Sequence, residues 1–249
     1  MKRPPVIAML ALIAAPAAAQ PPDQTPTPIA AMPPLAPVAY VGPEQLDLPR
    51  VLPAWPQPGT LASEADIQTM LALQLRRTPA DEVDAQADSA TTMTDFTIRL
   101  LGSEATPARY PKLFALMAAL HQDMRRINRA ANEARGFRPR PVVFDPRIRP
   151  SLDMAGHGSA AYPSARASSG QVWADVMAQI MPNSAAQAQA EAERIAWRRV
   201  VGGVHYPSDI AGSRHVARAV QKALARSPAF KQAIDEVRAE LERQRAAAS

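Results

Sequence analysis

The feature that most constrains the fold is a long stretch of helical periodicity, from about Pro107 to Arg135. Apolar residues recur there every three or four positions, which places them on one face of an α-helix. They are Leu113, Leu116, Met117, Leu120, Met124, Ile127 and Ala131. The other face carries several arginines, and Gly136 is a typical C-terminal stop. Because such a face needs partners to cover it, the sequence predicts a helical bundle.

The remaining helices are indicated by residues typical of their starts and stops. Ser63 and Asp66 have the spacing of a capping pair, Thr78-Pro79 separates two helices, and Gly102 is a stop. Further helices are expected after Ser164, Ser184, Pro207 and Ser227-Pro228. The sequence has no alternating strand pattern with hairpin turns. We therefore predict an all-α fold with a single domain, residues 60–249, and no internal repeat.

The segment before this domain is rich in proline. Prolines crowd three places, Pro21-Pro22, Thr25-Pro26-Thr27-Pro28 and Pro53-Ala54-Trp55-Pro56-Gln57-Pro58. Proline lacks a backbone N–H and disfavours both helix and central strand. We expect residues 20–59 to form an extended, partly disordered arm, for which a plain spacer is the ordinary interpretation.

The N-terminus has the order of a secretory signal. Met1-Lys2-Arg3 precedes a short apolar run and a small-residue site, so that residues 1–19 are expected to be removed. The run is shorter than the roughly 20 residues of a membrane span, and no later stretch is long enough without a charge or proline. The sequence predicts a soluble periplasmic protein with no membrane span.

Composition narrows the function classes further. The chain has no cysteine, which excludes disulfides and thiolate metal sites. Removal of Lys2 and Arg3 lowers the formal charge from +5 to +3, which is too small to indicate nucleic acid as a partner. The few histidines lack ligand spacing, so neither a metal nor another cofactor is expected.

The candidate catalytic and phosphate-binding residues lie mainly in three later segments, Arg138-Pro139-Arg140-Pro141, Tyr162-Pro163-Ser164-Ala165-Arg166 and Arg199 to Asp209. Short motifs of this kind often arise by chance. In the first turn of a helix that starts near Pro207, Asp209 also favours the helix dipole. In the functional interpretation, its carboxylate holds one nitrogen of His205 and leaves the other as a nucleophile.

The cations beside this pair suit a phosphate. Phosphoryl transfer needs mainly positive charge and hydrogen-bond donors, and arginine offers a planar fork that matches phosphate oxygens. Arg140 and Arg199 are the expected forks, and Ser164 at a helix start adds neutral donors. The predicted ligand is a small phosphorylated substrate or phosphate itself.

In this order the segments resemble the bacterial class A acid phosphatases, within the phosphatidic acid phosphatase type 2 and vanadium haloperoxidase superfamily. The resemblance rests on Arg140-Pro141, Pro163-Ser164, Arg199, His205 and Asp209, and it extends upstream to about Ser63. It implies the helical fold of that superfamily and hydrolysis of phosphomonoesters in two steps. His205 would form a phosphohistidine, which water would then hydrolyse.

Four positions depart from the pattern of this family, and one of them is Arg198, which replaces a serine directly before Arg199. Glu133 stands in place of a phosphate-binding lysine, and Ala165 and Arg166 replace a glycine and a histidine. The resemblance implies that the missing histidine protonates the leaving group, which arginine, with a pKa above about 12, cannot do near neutral pH. Alkyl esters are therefore expected to react more slowly than aryl phosphates or anhydrides. The opposite charges of Glu133 and Arg166 also predict an ion pair in the pocket.

Another histidine would have to replace the missing acid. His157 lies in a glycine-flanked loop close to the motifs and is the candidate, although a solvated loop histidine is the ordinary interpretation. His121 and His215 lie on predicted helices and are expected to be packing or surface residues.

Two functions remain open from the sequence. The first is a slow or specialised phosphatase that uses His205, and the second is a pseudo-phosphatase that binds an anion or a partner. A vanadium-dependent peroxidase is less favoured, because its site also requires the missing lysine and histidine. The natural substrate, the role of the arm and a homo-oligomeric state stay undetermined.

Overall fold

The computed structural model describes residues 37–152, 154 and 160–247, and these residues form an all-helical domain. Its helices are α1 (Leu48–Val51), α2 (Leu61–Arg76), α3 (Pro79–Ala90), α4 (Met93–Leu101), α5 (Pro111–Ala134), α6 (Pro141–Phe144), α7 (Ala165–Ile180), α8 (Ala185–Val201), α9 (Pro207–Leu224) and α10 (Pro228–Ala246). The only β pairing within the described ranges is an isolated bridge between Pro139 and Ala160. The all-α prediction is confirmed. The predicted signal peptide, residues 1–19, and residues 20–36 of the arm lie outside the described residues.

Helix α5 is at the centre of the larger hydrophobic core. All seven residues of its predicted apolar face are buried, and they pack with residues of α7, α9 and α10. The helix begins at Pro111 rather than Pro107, because residues 107–109 form a turn. Gly136 follows its C-terminus with φ 70°, a conformation that residues with a side chain rarely adopt.

The N-terminus of α5 is capped from another helix. Glu240 of α10 is buried, and its carboxylate accepts the backbone N–H groups of Lys112 at 2.9 Å and Leu113 at 3.0 Å. These are two of the donors that an isolated helix would leave unpaired. A carboxylate at this end also favours the helix dipole.

Most predicted helix starts are confirmed, and one is wrong. Thr78 caps α3, and helices begin directly after Ser164, Ser184 and Ser227 and at Pro207. Helix α2 is capped by Thr60, whose hydroxyl accepts the N–H of Ser63, rather than by a pair of Ser63 and Asp66. Asp66 is buried one turn further on and has other partners.

The second half of the proline-rich segment is packed, which differs from the extended arm expected up to residue 59. Residues 37–59 contain a 3-10 turn at Pro43–Gln45 and helix α1. Four apolar side chains between the prolines enter the larger core, namely Val41, Leu46, Leu48 and Leu52. Prolines interrupt regular secondary structure, but they do not prevent side chains from being buried.

A buried carboxylate fixes the beginning of this segment. Asp123 of α5 is fully buried and accepts the backbone N–H groups of Ala39, Tyr40 and Val41 at 2.8 to 3.1 Å. Buried N–H groups without a partner cost free energy, and a segment without secondary structure has no internal partners for them. Asp123 therefore holds the segment on the bundle.

A smaller apolar cluster lies where α2, α8 and the first turns of α7 and α9 meet, and it includes Ile67, Ala167, Val200, Tyr206 and Ile210. The three segments singled out in the sequence converge beside it. The N–H of Ala161 donates to the carbonyl of Arg138 at 2.8 Å, and the N–H of Ser164 donates to the carbonyl of Asp209 at 3.3 Å.

The role of Asp123 leads to a stability prediction. Asp123→Asn removes the charged acceptor of three N–H groups and should lower the free energy of unfolding by about 1–3 kcal/mol. Urea unfolding measures this change, and hydrogen exchange should show faster exchange at residues 39–41. The matched control is Asp235→Asn on the exposed face of α10, for which we expect less than about 0.5 kcal/mol. Unchanged exchange at residues 39–41 in Asp123→Asn would contradict the role of this carboxylate.

Candidate functional site

His205 lies in the short connection between α8 and α9. The chain reverses at Gly202-Gly203, where Gly203 has φ 77° and a Cβ atom would come within 2.9 Å of the backbone of Pro150. This turn requires glycine. The imidazole that follows is buried, with 4% of the residue exposed.

The partners of the imidazole fix its tautomer. Nδ1 lies 2.8 Å from the carbonyl oxygen of Ala161, which can only accept, so Nδ1 carries the proton. Nε2 lies 2.7 Å from Nη1 of Arg140, which can only donate, so Nε2 presents its lone pair. His205 is therefore neutral, with the lone pair of Nε2 directed towards a guanidinium.

Asp209 stands behind the imidazole. Its Oδ2 is 3.3 Å from Nδ1 of His205 and 2.9 Å from the backbone N of Tyr206, which it caps at the start of α9. The expected position in the first turn of α9 is confirmed, and the same carboxylate lies near the imidazole. The carbonyl of Ala161 is nevertheless the closer partner of Nδ1. Complete burial raises the pKa of Asp209 to about 7, while Arg138 and the N–H of Tyr206 favour the ionised form.

Arg138 joins Asp209 to helix α2. Its Nη1 is 2.5 Å from Oδ1 of Asp209, and its Nη2 is 2.7 Å from Oδ2 of Asp66. The guanidinium lies 3.8 Å from the ring centre of Tyr206 and 5.5 Å from that of Trp55. All three charged residues are buried. Buried ions need partners of this quality, because leaving water costs several kcal/mol per ion.

The sequence analysis did not identify Arg138 or Asp66 as site residues. Arg138 belongs to a repeat that is usually an extended connector, and Asp66 has the position of a helix cap. Their pairing joins residues 72 positions apart, and no local pattern signals such a contact.

Arg199 is a buried cation with unpaired donors. It is 3% exposed, and neither its Nε nor its Nη1 has a hydrogen-bond partner. Burial, followed by the charges of Arg166 and Arg140, lowers the pKa of the guanidinium to about 9. Arginine stays charged near neutral pH, so the protein holds a buried positive charge here that the charge of Asp88 only partly offsets. An anion is the natural partner of these donors.

Arg140 is a second buried arginine, and its charge acts on Arg199. It donates to the carbonyl of Val204 at 2.9 Å and lies against His205 as described. Burial lowers its pKa to about 10, which the charge of Asp209 partly offsets. Arg140 therefore contacts Nε2 of His205, and its charge also acts on the guanidinium of Arg199.

Ser164 is buried as the N-cap of α7, and its hydroxyl accepts the N–H of Ala167 at 3.5 Å. Helix α5 positions this loop through two asparagines. The amide of Asn132 donates to the carbonyls of Tyr162 and Pro163, and that of Asn128 donates to the carbonyl of Ala165. Ala165 itself is exposed at the first position of the helix.

The predicted ion pair between Glu133 and Arg166 is not formed. Glu133 is exposed, whereas the guanidinium of Arg166 donates to the carbonyl of Thr91, between α3 and α4. Burial lowers the pKa of Arg166, and Asp88 partly offsets this effect. The two residues occupy different helices, and the α3–α4 turn offers Arg166 a nearer acceptor. Glu133 therefore does not neutralise the cations of the site.

The remaining histidines divide as follows. His157 lies outside the described residues. His121 is partly buried, with its ring 5.8 Å from that of Trp173, and burial followed by Arg125 and Arg166 lowers its pKa. His215 is partly buried on α9. In the part of the chain that the structure describes, no group of three His, Cys, Asp or Glu residues has a metal-binding arrangement.

Two further observations concern the chain as a whole. A scan against protein-family models finds no match, and a search of curated proteins finds no similar sequence. Among the helices of the described ranges, none combines the length and apolar character that crossing a membrane requires.

The unpaired charge of Arg199 leads to a prediction about stability. A base whose pKa is lower in the folded than in the unfolded state destabilises the fold at every pH below the folded pKa. Arg199→Met keeps an aliphatic chain of similar length and removes the charge. Without anions it should raise the free energy of unfolding by about 1–3 kcal/mol at pH 7.

Thermal unfolding with and without 20 mM phosphate tests whether Arg199 stabilises the fold when an anion is present. Phosphate should raise the Tm of the original chain and have a much smaller effect on Arg199→Met, because the buried donors are gone. Exposed Arg226→Met is the control, and it should retain the phosphate effect. A less stable Arg199→Met protein with an unchanged phosphate effect would contradict this account.

Proposed function

We propose that the protein is a phosphatase that transfers the phosphoryl group of a phosphomonoester to His205 and then to water. The observation that carries this proposal is the pairing of a neutral imidazole, whose Nε2 presents a lone pair, with the unpaired buried donors of Arg199. A nucleophile beside a cationic anion site is the minimum that phosphoryl transfer requires.

The charges around Arg199 favour an anion as the ligand. Arg140, Arg199 and Arg166 contribute three positive charges, and Asp88, whose charge also acts on the pKa of Arg199, contributes one negative charge. The neighbouring group of Asp66, Asp209 and Arg138 carries one net negative charge when both carboxylates are ionised. The remaining charge of about +1 suits a phosphate or phosphomonoester anion.

The proposed reaction has two steps. In the first, Nε2 of His205 forms a bond to phosphorus, and the bond from phosphorus to the ester oxygen breaks. Because Nδ1 keeps its proton, the imidazole becomes positively charged, and Asp209 together with the carbonyl of Ala161 stabilises this charge. In the second step, water attacks phosphorus, the bond between nitrogen and phosphorus breaks, and a proton passes to solvent.

Arg140 has to change partner for this reaction. In the structure its Nη1 occupies the lone pair of Nε2, which is where phosphorus must approach. A phosphate oxygen is a stronger acceptor for a guanidinium than a neutral imidazole is. Substrate binding should therefore draw Arg140 onto the anion and expose the nucleophile.

The resemblance to the class A acid phosphatases supports the same proposal, together with the superfamily's fold and a periplasmic location. Arg140, Ser164, Arg199, His205 and Asp209 match its pattern and lie at one site. The departure at Arg166 changes the expected substrate range. Arginine cannot give a proton to a leaving alkoxide near neutral pH, and general acid catalysis contributes typically 10²–10⁴-fold in rate.

A second candidate function is an anion-binding protein without useful turnover. It is favoured by the contact of Arg140 with Nε2, because this guanidinium would have to move for catalysis. Its binding site would be the same, so only chemistry at His205 separates the two functions.

The experiment compares hydrolysis of 4-nitrophenyl phosphate and of glycerol 2-phosphate between pH 4 and 8 by the full chain. We expect turnover of the aryl ester, at least about 10²-fold slower turnover of the alkyl ester, and a phosphohistidine after acid quench. His205→Ala should abolish aryl turnover and the phosphohistidine. His215→Ala is the matched control and should leave both unchanged. A folded protein that binds phosphate but gives neither turnover nor phosphohistidine would favour the anion-binding function.

A further inference from the structure

We infer that Asp66 of α2 is a positioning residue for His205, acting through Arg138 and Asp209 as the outer member of a buried chain of four charged and polar groups. This inference rests on the proposed function for its kinetic consequences. Its effect on the imidazole follows from the geometry alone. Asp66 lies outside the three segments from which the site was predicted, and it touches neither His205 nor the anion space.

The geometry makes Arg138 a shared partner. Its two terminal nitrogens contact different carboxylates, Asp209 at 2.5 Å and Asp66 at 2.7 Å. A guanidinium that serves two anions neutralises neither of them fully. Because of Asp66, Asp209 retains more negative charge for the imidazole than it would in a simple pair with Arg138.

Ser208 closes the arrangement and fixes its orientation. Asp66 accepts the backbone N–H of Ser208 at 3.1 Å, and the hydroxyl of Ser208 donates to the same carboxylate and accepts from Arg138. Ser208 is the residue directly before Asp209. A contact on α2 is thereby transmitted to the first turn of α9, which carries the carboxylate behind His205.

The electrostatic consequence concerns the basicity of Nε2. Arg140 and Asp209 contact the imidazole of His205, Arg138 lies behind Asp209, and Arg199 is near enough to Arg140 for their charges to interact. Three of these four are cations. Asp66 is the second carboxylate of the group. Its negative charge opposes these cations through buried side chains, where water screens charge poorly.

Removing only the charge of Asp66 should therefore weaken the nucleophile without disturbing anion binding. In Asp66→Asn, Arg138 pairs with Asp209 alone, and we expect the pKa of His205 to fall by about 0.5–1 pH unit. We also expect kcat for 4-nitrophenyl phosphate to fall about 3- to 10-fold, with KM within about 2-fold of that of the original chain.

The experiment measures the pKa of His205 by NMR of the ring nitrogens in the full chain, together with the pH profile of kcat. Asp123→Asn is the matched control. Asp123 is also a buried helical carboxylate that accepts backbone N–H groups, so this variant should lose stability and keep both the pKa of His205 and kcat. Ser208→Ala removes hydrogen bonds of the same network without removing charge, so it should shift the pKa of His205 by clearly less than Asp66→Asn does.

The outcomes separate this inference from the proposed function. A lower pKa of His205 in Asp66→Asn alone supports the inference, even if the original chain shows no turnover and the proposed function fails. An unchanged pKa and kcat in Asp66→Asn would overturn it, and so would equal shifts in Asp123→Asn. If Asp66→Asn does not fold, Asp66→Ser removes the same charge and leaves room for a water molecule. Loss of folding in both variants would show that Asp66 serves the fold, which also overturns the inference.

Discussion

The ion pairs of Arg138 with Asp66 and Asp209 are the interactions on which the rest of the site depends. They join α2, the segment before α6 and the first turn of α9, and α2 and α9 also meet at the smaller apolar cluster. The guanidinium is buried between the rings of Tyr206 and Trp55, so its charge must be met by these carboxylates. Removing one partner of such a buried group typically costs about 3–5 kcal/mol. These ion pairs therefore fix the position of Asp209 behind His205.

The guanidinium of Arg199 has fewer partners than that of Arg138. Arg138 contacts two carboxylates, whereas Nε and Nη1 of Arg199 have no hydrogen-bond partner, and Asp88 only partly offsets the like charges of Arg166 and Arg140. A protein tolerates such an arrangement at a cost in stability, and functional sites are where costs of this kind are typically found. The neutral imidazole directs its Nδ1 proton towards the carbonyl of Ala161 and the carboxylate of Asp209, and the lone pair of Nε2 towards Arg140. This polarity is what a nucleophile for an anionic substrate requires.

The sequence predicted those parts of the structure that local patterns encode. The spacing of apolar residues gave the buried face of α5, and capping residues gave the starts of α7 to α10. The i, i+4 spacing correctly placed Asp209 beside His205. Long-range pairing was beyond such patterns. Asp66 was predicted to be a helix cap from its local spacing, because no local pattern reveals a partner 72 residues away. The opposite charges of Glu133 and Arg166 predicted a contact that the packing of α5 and α7 does not provide.

The proline-rich segment illustrates the same limit. Its composition predicted an arm without fixed structure, yet residues 37–59 are packed because apolar side chains between the prolines reach the core and Asp123 satisfies three backbone donors. Composition describes the backbone that a segment can adopt, but the surface of α5 determines whether that segment docks.

The central claim is that the space between Arg199 and His205 is an oxyanion site, and a crystal structure with bound tungstate tests it most directly. Tungstate resembles phosphate in shape and charge and is heavy enough to be located without ambiguity. The account predicts tungstate oxygens within hydrogen-bond distance of Nε and Nη1 of Arg199, and Arg140 turned from Nε2 of His205 onto the anion. Tungstate bound elsewhere, with the two donors of Arg199 still unpaired and Arg140 still on the imidazole, would contradict it.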